Sequence, residues 1–276
     1  MKVLPEQHAV LLTESMLSSK ADREQITRVM FEKFRVESLC LNVTPVLSLF
    51  GCGRASGCAV EIGDGLTQIV PVYNGYALPH AVNIMRKGGR DVSKHLRKVR
   101  QQAEGLEMVI KEQSTFVLES FDEESIAAVQ KKDQPFELPD GRIIQLGQER
   151  FKAPEVLFKQ DNFDKDRLTG LHQLLPDTIM KCDADIRPSL SENIVLSGGT
   201  SLIPGIGRRL LAEGRQVLPD DVCSKVRIEA PPGRENMAWV GASIIGSLST
   251  FPLMSISRSD YEESGVSVVH KKCFNG

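Results

Sequence analysis

The 276-residue sequence predicts an α/β fold, and three features carry that prediction. Apolar runs of strand length alternate with stretches whose hydrophobic residues recur at helical period. Residues 193–207, Asn-Ile-Val-Leu-Ser-Gly-Gly-Thr-Ser-Leu-Ile-Pro-Gly-Ile-Gly, leave such a run through a Gly-Gly-Thr loop and enter a helix expected to start at Pro204. In Val60-Glu61-Ile62-Gly63-Asp64-Gly65-Leu66-Thr67-Gln68-Ile69-Val70, two alternating strands meet at a glycine-flanked turn that carries a carboxylate.

The remaining elements follow in order. Ala9 to Leu12 reads as a short buried strand, and Ser19-Lys20-Ala21-Asp22 as a capping-box start to a helix whose inward face is Ile26, Val29, Met30 and Phe34. Leu39 to Val43 is a second strand, and Pro45 suits the first position of a short helix that stops at the glycines around Gly51. A helix is expected from about Asp91 with Leu96 and Val99 inward, then a hairpin from Pro135 to Leu146 turning at Asp140-Gly141. Leu171, Leu174, Leu175 and Ile179 mark a further helix face. Ala238 to Gly246 forms a helix rich in small residues, suited to close packing against a neighbour.

With 41% hydrophobic residues the chain can bury one large core or two smaller ones, and a net charge of −2 gives no global pull toward nucleic acid or an anionic membrane. Arg86, Lys87, Arg90, Lys94, Arg97, Lys98 and Arg100 cluster, but with no aromatic interleaved for base stacking they read as a solvated helix face. The six cysteines, Cys40, Cys52, Cys58, Cys182, Cys223 and Cys273, form no Cys-x-x-Cys pair and no metal-spaced array with histidine. Reduced thiols are expected, with no zinc or disulfide framework. No signal peptide or membrane-length apolar run is present, which points to an intracellular protein. The five scattered histidines make no nucleophilic constellation.

The Gly-Gly-Thr loop and the Gly63–Gly65 hairpin together resemble the actin family. The resemblance extends to Asn74-Gly75-Tyr76-Ala77-Leu78-Pro79-His80, to Glu137-Leu138-Pro139-Asp140-Gly141, to Met180-Lys181-Cys182-Asp183 and to the run from Ser249 to Phe274. It implies an actin-like ATPase fold of two ribonuclease-H-like α/β lobes. Residues 1–51 and 237–276 would form the first lobe and 52–236 the second, with 88–166 as an outer subdomain. Residues 5–13 resemble a segment that lies well inside actins, so the first quarter of a family member, with its first phosphate loop, is expected to be missing and the first lobe incomplete. The strand at Ala9–Leu12 is then expected at an uncovered sheet edge, and the stretch between Val99 and Ile110 is shortened.

The resemblance also implies a nucleotide site. In actins magnesium-ATP lies between two phosphate loops, where side chains position the attacking water. Gly63, Asp64 and Gly65 match the second loop, and Asp64 would organise metal-bound water. Lys111 and Glu112 match a pair that contacts base and ribose, and Gly198, Gly199 and Thr200 match the loop beneath. Several positions depart from the pattern. Glu61 replaces Asp, Gln68 replaces His, Thr44 replaces the water-orienting Gln and Ile62 replaces a small hydroxyl residue. Ile203 replaces an aromatic on the adenine and Glu235 replaces a Lys. Vestigial or weak nucleotide binding without hydrolysis is expected, with no catalytic residue and no cofactor.

A partner cleft is implied at Phe50, Gly51, Gly53, Tyr76, Val240, Ile244, Ile245, Leu248, Thr250 and Met254, apolar or small positions suited to an amphipathic helix, with Ser255 replacing a Trp at the rim. The function expected is that of a structural, non-catalytic or weakly nucleotide-binding subunit in a cytoskeletal, motor or chromatin assembly. Its partners would be proteins, with actin or actin-related proteins as candidates, no membrane, and nucleic acid met only indirectly. The location expected is cytoplasmic or cytoskeletal, with the nucleus second. The alternative is an ATP-binding actin that joins filaments and holds magnesium-ATP, represented here by an N-terminally incomplete sequence. A sugar kinase of the same superfamily is set aside, because the actin-like segments continue to the last residues.

Overall fold

Two sheets and the helix between them organise the chain in a computed structural model, which describes residues 4–100, 106–130, 134–159 and 170–273. The strands are β1 (Ala9–Glu14), β2 (Ser38–Val43), β3 (Gly57–Ile62), β4 (Thr67–Tyr73), β5 (Tyr76–Ala77), β6 (Asn83–Met85), β7 (Gln134–Glu137), β8 (Ile143–Leu146), β9 (Ile194–Ser197), β10 (Ile228–Glu229) and β11 (Ile256–Ser257). The first sheet has the order β1-β2-β11, with β1 parallel to β2 in the register Ala9↔Ser38 to Glu14↔Val43 and β11 antiparallel. The second runs β10-β9-β3-β4-β5, with β6 also paired to β4; β7 and β8 form a separate hairpin. Among the described residues β1 has a strand on one side only.

The crossover from β1 to β2 starts as the sequence suggests. Ser19 caps Lys20–Arg28 by accepting the Asp22 N–H, and the Asp22 carboxylate accepts the Ser19 N–H at 3.1 Å. The inward face departs from the helical reading, because the helix widens into a π turn over Val29–Lys33. That extra residue rotates the register. Phe31 turns into the core and stacks on Tyr261 with centroids 4.6 Å apart, while Phe34 is left exposed.

Thr44–Gly51 forms a helix one residue earlier than Pro45 alone indicated. It is apolar on opposite faces. Val46 and Leu49 pack on Ala59, Val70 and Val195 of the second sheet, and Leu47 packs with Cys40 of the first sheet, Ile245 and Phe251. Met237–Gly246 crosses it with backbones almost touching, since a Cβ at Gly241 would lie 1.8 Å from the Leu47 carbonyl oxygen. The small-residue reading of this helix therefore has a steric cause.

The larger core lies on the other face of the second sheet, where Ile62, Ile69, Leu96, Ile110, Phe158, Leu175 and Leu196 meet. Gly89–Arg100 begins two residues before Asp91 and buries Val92 and Leu96; the side chains of Val99 and Arg100, and residues 101–105, lie outside the described set. Arg86, Arg90, Lys94, Arg97 and Lys98 are exposed as expected of a solvated face, but Lys87 is buried. The hairpin turns at Asp140-Gly141, and Leu171–Met180 buries Leu171, Leu175 and Ile179.

The helix expected from Pro204 begins at Ile206. A 3-10 turn occupies Gly199–Leu202 first, and the Pro204 carbonyl accepts the Val117 N–H at 2.7 Å. Docking to the Val117 segment holds this backbone out of helical geometry, and Gly205 then turns the chain at φ +94°.

The contact at Gly241 makes a direct prediction. Gly241→Ala forces the two helices apart and lowers stability by about 1–3 kcal/mol, whereas Gly246→Ala, in the same helix and facing open space, does not. Denaturant midpoints of the two variants check it.

Candidate functional site

The loop from β3 to β4 is held by its neighbours through the backbone. The Gly63 carbonyl accepts from the Gly89 N–H at 3.0 Å and from the Thr200 hydroxyl at 2.8 Å, and the Asp64 carbonyl accepts the Arg90 N–H at 2.8 Å. The first amides of Gly89–Arg100 are thus directed at this chain's own carbonyls. Gly198 sits at φ +83° with its α-carbon against the end of β3, where a Cβ would approach the Ile62 carbonyl oxygen to 2.5 Å. Its backbone conformation is a packing requirement.

A cavity of about 590 Å³ opens beside this junction. Asp64, Lys111, Glu112, Gly199 and Thr200 line it, together with Ile203 and Glu235. Gly63, Gly65 and Gly198 belong to the turns behind and do not line it. Met108 and Leu202, which the sequence reading missed, supply much of its apolar wall. Met108 lies three residues before Lys111 on the helix Glu107–Ser114, so helical spacing from Lys111 was the signal available for it.

Charge in the cavity is mixed. Asp64 pairs with Arg90 at 3.1 Å, but their side chains are 60% and 66% exposed, so water and salt screen the pair. Lys111 is buried, its Nζ 3.4 Å from the Gly89 carbonyl oxygen and 4.0 Å from Asp64. Glu112 and Glu235 face the same space. Three carboxylates surround the cations here, and Asp64, the candidate for metal-bound water, is already engaged by Arg90. Among the described residues no group of three or more His, Cys, Asp or Glu is placed to hold a metal ion.

Beyond the hairpin a second cluster closes on itself. Thr44 donates its hydroxyl to Glu61 Oε2 at 2.5 Å, and Gln68 Nε2 lies 3.4 Å from both Glu61 Oε2 and the Thr44 hydroxyl. Gln68 Oε1 accepts from the Ser15 hydroxyl and the Met16 N–H, each at 3.1 Å. Burial pushes the Glu61 carboxyl above its usual range, against the opposing hydrogen bonds from Thr44 and Gln68.

The positions expected to form one partner cleft separate into three groups. Phe50, Tyr76 and Met254 line a cavity of about 470 Å³ together with Leu253. Ile244 and Leu248, 41% and 44% exposed, and Thr250 lie outside its lining, as does half-buried Val240; Gly53 is an exposed turn. Ile245 is 0% exposed and is core, so the cleft assignment is corrected for it; half-buried Gly51 is pressed against Met237 and lies outside the cavity's lining. Ile245 points inward because its neighbour Gly241, one helical turn away, brings this face of the helix onto Leu47.

A family model described as Actin matches residues 1–108 and 101–274. The chain belongs to the actin family. The α/β, actin-like fold expected from the Gly-Gly-Thr loop and the Gly63–Gly65 hairpin is what the chain adopts. Thr44, Glu61 and Gln68 are joined to one another, Glu61 accepting from Thr44 and Gln68 and Thr44 accepting from Gln68. Among the described residues no helix is long and apolar enough to cross a membrane.

The raised Glu61 carboxyl predicts a pH dependence. Its folded-state pKa lies above the ordinary 4.5, so the native state holds the proton more tightly; this stabilisation is full at low pH and is lost as pH rises through the folded value. Glu61→Gln removes that loss, so the variant gains on wild type in unfolding free energy as pH rises from the ordinary carboxyl value of 4.5 toward the folded one. Parallel stability curves would refute the burial account.

Proposed function

We propose that this actin-family chain is a structural subunit, non-catalytic or weakly nucleotide-binding, of a multi-protein cytoskeletal, motor or chromatin assembly. The observation that carries the reading is the self-satisfied cluster of Ser15, Thr44, Glu61 and Gln68. Thr44 and Gln68 stand where the resemblance to actins implies groups near the attacking water and Glu61 where it implies an Asp, and here, with Ser15, their hydrogen bonds are directed at one another. General base catalysis needs such groups aimed at a substrate proton.

The cavity at Lys111 supports the same reading. A triphosphate placed there would meet Asp64, Glu112 and Glu235 with buried Lys111 and exposed Arg90 as counter-charges, and like charges at short range oppose binding. Ile203 offers no aromatic face for a base. The residues present do not fit magnesium-ATP as the actin pattern does. Gly63, Gly65 and Gly198 then serve as turns that lock the hairpin to its neighbours, and Asp64 as an ion-pair partner.

Protein partners are assigned to the apolar surface where exposed Tyr76 and Leu253 adjoin half-buried Phe50 and Met254, which suits the anchors of an amphipathic helix. Two lobes, one from 1–51 with 237–276 and one from 52–236 with the outer part 88–166, are the domain reading that accompanies this function. A cytoplasmic or cytoskeletal location follows, with the nucleus as the second compartment.

Calorimetric titration with magnesium-ATP tests the reading. Affinity no tighter than about millimolar is expected, so that saturating nucleotide adds less than the roughly 2.7 kcal/mol that a ligand at 100 times its Kd contributes. Micromolar affinity would overturn it in favour of an ATP-binding actin. Glu235→Lys removes one of the three acidic groups and is expected to strengthen nucleotide binding by about tenfold, or ~1.4 kcal/mol. An unchanged Kd in that variant would show that charge at the cavity does not limit affinity.

A further inference from the structure

Charge is buried at a further place, lining neither cavity, where the 3-10 turn Pro154–Leu157 meets the helices Leu171–Met180 and Ile206–Val217. Arg209 lies at the centre, its side chain 4% exposed, with Nη1 3.5 Å from Glu155 Oε1 and Nε donating to Glu213 one turn along its own helix. His172 Nε2 reaches the other oxygen of Glu213 at 3.3 Å. Phe158 covers the group, its ring centre 5.2 Å from the guanidinium carbon and its plane within 23° of the His172 imidazole. Arg209 Nη1 also donates to the Leu118 carbonyl at 3.0 Å, and the preceding Val117 N–H donates to the Pro204 carbonyl. The segment Val117–Leu118 is thus fastened at two points, to the helix that carries Arg209 and to the turn before it.

The charges of this group do not balance. Two carboxylates share one guanidinium and a neutral imidazole adds nothing, so full ionisation leaves an excess negative charge where water is scarce. Glu155 Oε2 and His172 Nδ1 are buried with no hydrogen-bond partner among the described residues. One proton on Glu155 removes the excess. Burial first, and the charge of Glu213 with it, push the Glu155 carboxyl up to about 7, against Arg209 and Lys159. Burial lowers His172, with Arg209 adding to it and Glu213 opposing, so the imidazole is the poorer site for that proton. Charges on the other elements packed here are engaged elsewhere: Arg150 of Glu149–Lys152 donates to Gln134 Oε1 at 2.6 Å, and on Gly89–Arg100 Lys94 pairs with Asp91 and Arg97 with Glu107. His95 lies on that helix beside buried Leu96, Lys159 rests over the Phe121 ring at 3.9 Å, and Asp177, Arg208 and Arg215 are exposed.

We propose that Glu155, Arg209, Glu213 and His172 form a proton-operated latch on the segment Val117–Leu118, in which a proton on Glu155 leaves Arg209 to Glu213 and the Leu118 carbonyl. The same Nη1 faces both the Leu118 carbonyl, at 3.0 Å, and Glu155 Oε1, at 3.5 Å. When Glu155 ionises, its carboxylate competes with the carbonyl for that nitrogen and the latch loosens. The only bond made or broken is the O–H of Glu155, with the proton going to solvent. Because the folded value lies above the ordinary 4.5, the stabilisation is full at low pH and is lost as pH rises through about 7. The Val117 amide that the latch steadies is bonded to Pro204, directly after Ile203 of the cavity at Lys111, so the proton bears on that wall. The inference does not depend on the proposed function.

The test is an NMR titration of the purified full chain across neutral pH, following the glutamate side-chain carboxyl carbons and the backbone amides together. The expected result is a Glu155 carboxyl that titrates near 7, with the amides of Val117 and Arg209 shifting at the same midpoint. Exchange of the Val117 N–H, corrected for its intrinsic pH dependence, should quicken by about tenfold as Glu155 ionises. These readings are made on wild-type protein and require no variant to fold. In the isosteric Glu155→Gln the shared midpoint should vanish from both amides, whereas His172→Gln and His95→Gln should keep it. A Glu155 carboxyl titrating near the ordinary 4.5, a Val117 amide that does not follow it, or a midpoint lost with either histidine and kept in Glu155→Gln would overturn the proposal.

Discussion

Everything in this chain is arranged around the burial of one short helix on two sides. Thr44–Gly51 carries Val46 and Leu49 toward the second sheet and Leu47 toward the first, so each sheet closes the face turned toward this helix only with its side chains. A helix apolar on opposite faces has no solvent side to give up. The cost is that a second helix must lie across it at backbone contact, and the missing side chains of Gly241 and Gly51 allow that. Each fully buried leucine of this kind contributes roughly 1.5–3 kcal/mol, so the crossing holds the two sheets together through a small number of side chains.

The same helix fixes the chemistry of the interior. Its first residue, Thr44, is set opposite Glu61 of β3 because Val43 ends β2 directly before it. A carboxyl in that half-buried place is stable when it keeps its proton or is hydrogen-bonded, and Thr44 with Gln68 supplies the bonds. A cluster satisfied in this way stabilises the junction of hairpin and helix. Its donors and acceptors are then committed to one another and to Ser15 and Met16.

What the sequence disclosed and what it hid divide along a physical line. The Ser19 capping box, the Asp140-Gly141 hairpin and the inward face of Leu171, Leu175 and Ile179 are local, set by residues three or four apart, and all were legible. The π turn at Val29–Lys33 was not, because it follows from the need to place Phe31 on Tyr261, more than two hundred residues away. Ile245 was taken for cleft surface because apolarity alone does not distinguish a groove from a core; the backbone contact at Leu47 decides it. The delay of a helix from Pro204 to Ile206 likewise depends on the distant Val117 amide. At the candidate site the residue identities were readable by motif. The mutual hydrogen bonding of Thr44, Glu61 and Gln68, which gives those identities their meaning, required coordinates.

The outer edge of the first sheet shows how such long-range contacts also protect the fold. β1 is paired on one side among the described residues, and an unpaired strand edge invites association with other chains. Its last residue, Glu14, is buried and binds Arg23 at 3.0 Å, and Arg23 in turn holds the Cys273 carbonyl. A charge turned inward at the end of an edge strand penalises any register that would carry it elsewhere, since the carboxylate would lose its partner inside the protein. Through Arg23 that penalty is shared with the C-terminal segment, so β1, the helix after Ser19 and the residues up to Cys273 must form as one unit. The edge is thus kept in register by a buried ion pair rather than by a second neighbouring strand.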